Sequence, residues 1–430
     1  MNYNSSNFAL LMAFTHGTDH FARRMIPPLI PLWALFFGAP LWQVALLPAI
    51  QIFSTGLFQI PSGMISDSSD RRILLPLAFV THGFTYVLFA IGATSLFLDF
   101  NVFLFGSSFN CRLLVMMLAM FLSGAGSSLL HPAGYPLITA NIPPDSKGRA
   151  YGLWGSSAKF GDGLGPAVLG LLLIYLDWSI IFVGLGILLL IYAVFLFSIL
   201  KEYDTLPPPP KNSSSKSSSF WQSDPRSYVL PILAILAYFS IRGFTADGIG
   251  ALYPAFINEI YGYTFEIFGT VITSTSTASW YFSILLISAG LSQLVVGKLV
   301  DMYDPRLILL AYVLTGAISI ATLALIELSP SNLLLVSIAV GATLWASAPA
   351  RDALINSIAP VEREGRTFAY LWTGALMIGS VSPVFIGYIG DLGGLRIGFF
   401  YLVPVLLISG IPIALLYSKR VYVPSSDKPS

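Results

Sequence analysis

The stretch from Phe8 to Phe37, FALLMAFTHGTDHFARRMIPPLIPLWALFF, is long and apolar enough to cross a bilayer, yet it carries His16, Asp19, His20, Arg23 and Arg24 in its middle. Ionisable groups at that depth cost roughly 2.5–3.5 kcal/mol each even on lenient insertion scales. Their spacing shows how the cost is met. His16, Asp19, His20 and Arg23 fall at i, i+3, i+4 and i+7, which is one face of a helix. The other face, with Leu10, Phe14, Phe21 and Met25, is apolar. Such a helix cannot turn its polar stripe to lipid, so other helices must enclose a wet cavity in front of it.

The rest of the chain supplies those helices. Of 430 residues, 55% are hydrophobic and only 10% are charged, against roughly 25% charged in soluble domains. The chain therefore reads as an all-α integral membrane protein with the bilayer as its main partner. A net charge of +1 gives no reason to expect nucleic acid. Cys111 is the only cysteine, which excludes an internal disulfide and a cysteine metal cluster. No cofactor and no metal site are expected. MNYNSSN lacks a basic n-region, so no cleavable signal is read.

Twelve apolar segments are expected, near 8–37, 42–65, 73–97, 113–139, 149–175, 179–200, 228–258, 266–300, 306–326, 332–357, 366–390 and 396–418. Segment 266–300 is either one tilted helix or a helix preceded by an outer loop. Basic residues collect on one side, at Arg71, Arg72, Lys147, Arg149, Lys201, Lys211, Lys216, Arg226, Lys298, Arg306, Arg363, Arg366, Lys419, Arg420 and Lys428. Only Arg112 and Arg396 fall on the other. The positive-inside rule then puts both termini in the cytoplasm. Four prolines and a Ser/Lys run between spans 6 and 7 predict a flexible linker. The expected units are an N-terminal half (1–200), the linker (201–227), a C-terminal half (228–420) and a tail (421–430).

The two halves share punctuation. Gly63, Asp67, Asp70 and Arg72 after span 2 match Gly297, Asp301, Asp304 and Arg306 after span 8. Gly148-Arg149 matches Gly365-Arg366. Pro166 and Gly170 match Pro383 and Gly387, and Gly17 and Pro28 match Gly243 and Pro254. Several independent registers agree, so the chain reads as two homologous six-helix halves with a site at the midplane between them. The duplication does not extend to the polar stripe. His20, Arg23 and Arg24 correspond to Ala246, Ile249 and Gly250; only the His16 position stays basic, as Arg242.

The Gly63–Arg72 stretch, its copy at Gly297–Arg306 and the twelve spans resemble the major facilitator superfamily over essentially the whole chain. Span 5, Gly155 to Gly170 with its Gly165-Pro166, is similar to the glycine-and-GP motif of the superfamily's exporters. His16 to Pro28 and Gly124 to Pro132 look most like its fosmidomycin-resistance-type branch. Ser68 and Asp70 depart from the loop motif, and Met120 stands where many drug exporters carry a proton-relay arginine. The resemblance implies a monomer working by alternating access, with Asp67, Arg71, Arg72, Arg149, Asp301, Arg306, Arg351 and Arg366 as gating residues.

Individual residues have structural as well as functional readings. Gly161 and Gly165, one turn apart, admit a close helix neighbour, and Pro166 weakens the helix locally. Lys159 and Asp162 either neutralise each other or meet an anionic substrate and a proton. His131 reads first as a hydrogen-bonding residue. His82, on a helix expected outside the cavity, is read as structural only. Arg242, Asp247 and the Arg351-Asp352 pair complete the intramembrane charges. Their sum is slightly positive, which favours an anionic or zwitterionic small molecule; histidine, with a pKa of about 6.5, offers proton sites. No GxxxxGK(S/T), GxSxG, HExxH or CxxC occurs, so neither ATP hydrolysis nor another enzymatic activity is expected. The expected function is proton-coupled efflux of an anionic or amphipathic compound, with Asp19 taking the proton and Arg23 the substrate. Proton-coupled import of an organic anion and a non-transporting receptor are the alternatives.

Overall fold

In the computed structural model the described residues are 3–207, 225–359 and 364–423. Most of the expected linker, the tail, Lys211, Lys216, Arg363, Lys428 and the side chain of Arg366 lie outside them. The helices assemble into twelve spans. Span 1 is Tyr3–Arg24 continued by Ile30–Phe37; spans 2 and 3 are Leu41–Ser68 and Arg71–Thr94. Span 4 is Cys111–Ser127 with Leu130–Asn141, and spans 5 and 6 are Lys147–Leu172 and Trp178–Ile199. Spans 7, 8 and 9 are Val229–Ile260, Ser274–Val300 and Pro305–Leu325. Span 10 is Pro330–Leu344 with Ala348–Ile358, span 11 is Glu364–Gly379 with Ser382–Gly393, and span 12 is Leu395–Leu415.

Ten of these helices are apolar and long enough to cross a membrane by themselves. The remaining two are spans 1 and 5, which carry the densest intramembrane charge and lie against each other. Segment 266–300 resolves into the second of its two expected forms. Phe265–Ile267 and Thr270–Ile272 make an antiparallel hairpin ahead of the span 8 helix.

The broken spans share one feature, a proline at the break. Proline has no N–H and its ring clashes with the carbonyl four residues back. Pro132, Pro349 and Pro383 stand four residues after Ser128, Trp345 and Gly379, and spans 4, 10 and 11 are interrupted there. Span 1 breaks just before Pro27-Pro28. Proline alone does not force a break, since Pro48, Pro61, Pro76, Pro166 and Pro254 sit inside continuous helices.

The repeat also governs packing. A Cβ on Gly124 would strike the Gln51 carbonyl of span 2, and one on Gly341 would strike the Leu285 carbonyl of span 8. Both pairs are equivalent under the registers read from the sequence. The loop motifs behave alike too. Asp70 and Asp304 cap spans 3 and 9 by accepting from the Arg72 and Arg306 backbone N–H at 2.9 and 2.8 Å. Arg72 lies 5.0 Å over the Phe197 ring of span 6, and Arg306 4.2 Å over Tyr417 after span 12. The Arg306 side chain also grips Asp304, holding that carboxyl below its ordinary range.

The halves meet on the side away from the linker. Leu41 and Trp42 N–H donate to the Asp391 carboxylate at 2.8 and 2.9 Å, and Gly387 lies against Trp42. Trp280 Nε1 donates to the Ala167 carbonyl at 3.3 Å and Ser283 Oγ to that of Gly163 at 2.6 Å. Toward the linker side the seam opens. Gly63, Gly148, Gly152, Gly155 and Gly297 face empty space. The contacts between the halves named here therefore close the seam on the face away from the linker.

Candidate functional site

Span 1 turns its stripe inward as its periodicity requires, while Leu10 and Phe14 on the far side are exposed. Met25 departs from that division and is buried. The close approach of spans 1 and 5 comes from two glycines. A Cβ on Gly161 would overlap the Gly17 carbonyl, and one on Gly165 the Phe21 carbonyl. This contact brings Asp162 within reach of span 1. Its Oδ1 accepts from His20 Nδ1 at 2.9 Å and Arg24 Nε at 2.8 Å, and its Oδ2 from Lys159 Nζ at 3.1 Å. Lys159 and Asp162 thus form the pair one sequence reading expected, within a larger set.

Asp19 organises a second cluster. His82 Nε2 lies 2.6 Å from Asp19 Oδ1, Ser127 Oγ donates to the same oxygen at 3.2 Å, and Arg23 Nη1 is 3.6 Å from Oδ2. Gln51 Nε2 donates to Ser123 Oγ at 2.9 Å, and Ser123 Oγ sits 2.9 Å from His82 Nδ1. The serine proton then points to Nδ1, and Nε2 carries the proton toward Asp19. The expectation that His82 lies away from the central charges is therefore corrected, while its hydrogen bonds agree with the structural reading. Span 3 is peripheral, but this side chain reaches through it to the centre and is fully buried there. An intramembrane histidine was itself a usable signal; Gln51, Ser123 and Ser127 gave none.

His16, His20 and His131 cluster with Trp154. His16 stacks on Trp154 at 4.2 Å, and its ring centre is 4.8 Å from His20 and 5.0 Å from His131. His16 Nδ1 faces the Trp154 carbonyl at 2.7 Å, so it donates there and Nε2 is left a bare acceptor. His16 Nε2, His131 Nδ1 and Arg23 Nε are buried without a hydrogen-bond partner among the described residues. Buried polar atoms are normally satisfied, so these three atoms remain available as hydrogen-bonding groups in this corner. No group of three metal-ligating residues with suitable placement occurs among the described residues.

The charges are layered. Asp19 and Asp162 side chains are 1% exposed, whereas His20, Arg23, Arg24 and Lys159 are 20% to 28% exposed. The acids lie behind and the cations form the cavity wall. Lys159 also abuts Gly290 of span 8, and Arg24 Nη1 comes within 3.3 Å of a Cβ on Gly250 of span 7. Both cations therefore stand at the seam between the halves.

The other expected site residues divide. Asp247 stays at the midplane, beside Gly379 of span 11. Arg242 turns into the C-terminal half, donating to the Leu344 carbonyl at 2.5 Å between Tyr238, Tyr312 and Ser347. Arg351 pairs with Asp352 at 2.8 Å and lies 4.2 Å over Phe239 and 5.1 Å over Trp372, all within its own half. Arg71 binds the end of span 6, its N–H donating to the Thr205 carbonyl at 3.1 Å and its Nη1 to that of Leu206 at 3.3 Å. Asp67, Asp301 and Arg149 are exposed on the linker face with no hydrogen bond or ion pair among the described residues.

Known proteins align with this chain as follows. An uncharacterised MFS-type transporter of Bacillus subtilis, YhcA, is 29% identical over 20% of this chain and 17% of its own length. An uncharacterised B. subtilis transporter, YybO, is 23% identical over 43% of this chain and 38% of its own. The chain thus spans less than half the length of each of these two curated relatives. Among solved structures, a bacterial homologue of the human lysosomal transporter Spinster, inward-facing and unoccupied, superposes with a TM-score of 0.77 at 15% identity, covering 100% of both chains. The xylose transporter XylE of E. coli, inward open, gives 0.72 at 12% identity over 99% and 98%. These likenesses show the fold. The family model of the Major Facilitator Superfamily matches residues 12–276 and 268–430. With its membrane-crossing helices in two related halves, the chain is a multi-pass membrane protein and belongs to the major facilitator superfamily.

Proposed function

We propose that the protein moves a small compound bearing an anionic group, coupled to protons, between the cytoplasm on the linker side and the outside of the cell. The layered charge carries this reading. An anion entering the cavity meets Arg23, Arg24 and Lys159 first, and the carboxylates that balance them are sealed behind. Arginine adds bidentate recognition of a carboxylate or phosphate-like group.

The proton site is the Asp19–His82 pair. Arg23 is held to Asp19 only loosely, at 3.6 Å. A proton on Asp19 releases Arg23 to the substrate, so proton and anion favour each other's binding, a reciprocal linkage. That sign supports proton–anion symport. Export by exchange is the second reading, and span 5 with its exporter-like Gly155–Gly170 stretch favours it, as does the resemblance to the fosmidomycin-resistance-type branch.

Proteoliposomes loaded with a pH-sensitive dye separate the two. Membrane-impermeant carboxylates, amino acids and organophosphates are added outside one at a time. Symport acidifies the lumen on addition of a substrate, and exchange makes it alkaline. Asp19→Asn and Arg23→Gln should each abolish the signal while the protein still inserts and elutes normally. A normal signal from either variant, or no pH change with any compound, would overturn the proton-coupled reading.

The exposed loop charges fit a gate that is open in this state. Gly163 meets Ile287 and Gly290 meets Lys159 across spans 5 and 8. Carried toward the linker face, that antiparallel register sets Arg149 opposite Asp301. With Cys111 replaced by serine, a double Arg149→Cys, Asp301→Cys variant should cross-link only when the cavity closes to the linker side, and cross-linking should stop transport. Equal cross-linking in an inward-locked state would rule this gate pair out.

A further inference from the structure

Asp247 is the midplane carboxylate for which the fold supplies no partner. Asp19 and Asp162 are both enclosed by donors, but Asp247 makes no ion pair and accepts no hydrogen bond among the described residues. Its position is not incidental. Under the register set by Pro166 and Pro383, Asp162 corresponds to Gly379. Under that set by Gly17 and Gly243, Asp247 corresponds to Phe21. A Cβ on Gly379 would run into Asp247 Oδ2. Both halves therefore put one carboxylate in the equivalent niche, between spans 1 and 5 and between spans 7 and 11. In the N-terminal half it comes from span 5, and in the C-terminal half from span 7.

The surroundings differ in sign. Three basic side chains converge on Asp162. The nearest basic residue along span 7, Arg242, is turned away and spent on the Leu344 carbonyl. Asp247 is half-buried rather than sealed, and Arg24 approaches span 7 less than one turn further on, at Gly250. A cationic wall on one half thus faces, on the other, a carboxylate that has no ion pair or hydrogen bond among the described residues. An unpaired carboxylate at membrane depth is costly, and a bound cation would offset that cost.

We infer that the transported compound is a zwitterion whose anionic group sits among Arg23, Arg24 and Lys159 and whose protonated amine sits on Asp247. This rests on the anion-binding reading above. A ligand that bridges the halves binds best when they close around it, and only such differential affinity shifts a conformational equilibrium. The amine is then the part of the substrate that drives occlusion, and an anion without it binds the N-terminal half alone.

The test uses the purified full-length protein in detergent, with amino acids and dipeptides as probes. Each is compared with its N-acetyl derivative, which keeps only the anion, and its methyl ester, which keeps only the cation. At least one free zwitterion should raise the thermal midpoint and bind about tenfold or more tightly than either derivative. Asp247→Asn should bring its affinity down to that of the N-acetyl form and leave the N-acetyl form unchanged. Gly379→Ala, which displaces the carboxylate without removing it, should act in the same direction. Because Asp247 has no partner to lose, Asp247→Asn should unfold no earlier than wild type without ligand. Equal binding of zwitterion and N-acetyl anion to wild type, dependent on Arg23, would overturn the zwitterion and leave the anion reading standing. Failure of every anionic and zwitterionic probe to bind would overturn both.

Discussion

Asp162→Asn is expected to lower the thermal unfolding midpoint of the detergent-solubilised protein more than any other polar substitution at the midplane. Three basic side chains converge on this carboxylate, and it is 1% exposed. Removing one member of a buried ionic set leaves the others unpaired, which costs about 3–5 kcal/mol in fully buried cases. Here the basic groups are 20% to 28% exposed and cavity water solvates them in part, so the lower end, about 3 kcal/mol, is expected. Lys159→Gln provides the contrast. It removes one basic group of three and leaves the acid paired to His20 and Arg24, so the midpoint should move little while anion binding falls. A wild-type midpoint in Asp162→Asn would mean that the set does not hold spans 1 and 5 together.

The second large effect is steric. Gly161→Val should prevent the native approach of spans 1 and 5, because its Cβ would occupy the place of the Gly17 carbonyl, with Phe21 N only 3.0 Å away. Both obstacles are backbone and cannot rotate aside. Overpacking a well-filled interior costs about 1–3 kcal/mol, occasionally more, and a backbone collision belongs at the upper end. Separating these helices would also pull Asp162 from His20 and Arg24, so the steric and ionic losses are coupled and should not add simply. Gly155→Val serves as control. Gly155 lies on the same helix but faces open space, so its variant should keep the wild-type midpoint. Equal midpoints for the two variants would refute the close-approach account.

The stripe of span 1, the repeat and the membrane class were legible because each is a periodic or counted property of the chain. Hydropathy identifies a span without knowledge of its neighbours, and a charge at i, i+3, i+4 and i+7 defines a face whatever that face meets. The same argument explains why the contact of His82 with Asp19 was not legible. Its own helix is apolar and peripheral, and nothing within span 3 indicates that the side chain reaches Asp19, 63 positions earlier in the chain. Arg242 shows the opposite case. By register it matches His16, but it is turned into the C-terminal half instead.

The sequence by itself determined that this chain would build twelve spans in two related halves, with a charged helix facing an enclosed cavity. The bilayer penalises each exposed polar group locally, so those features follow from residues read in order. Beyond the same-helix pairs Lys159–Asp162 and Arg351–Asp352, only the tertiary structure decided which charge meets which. Glycine contacts between distant helices set that pairing at the ångström scale, sealing Asp19 and Asp162 among donors and leaving Asp247 alone across the seam.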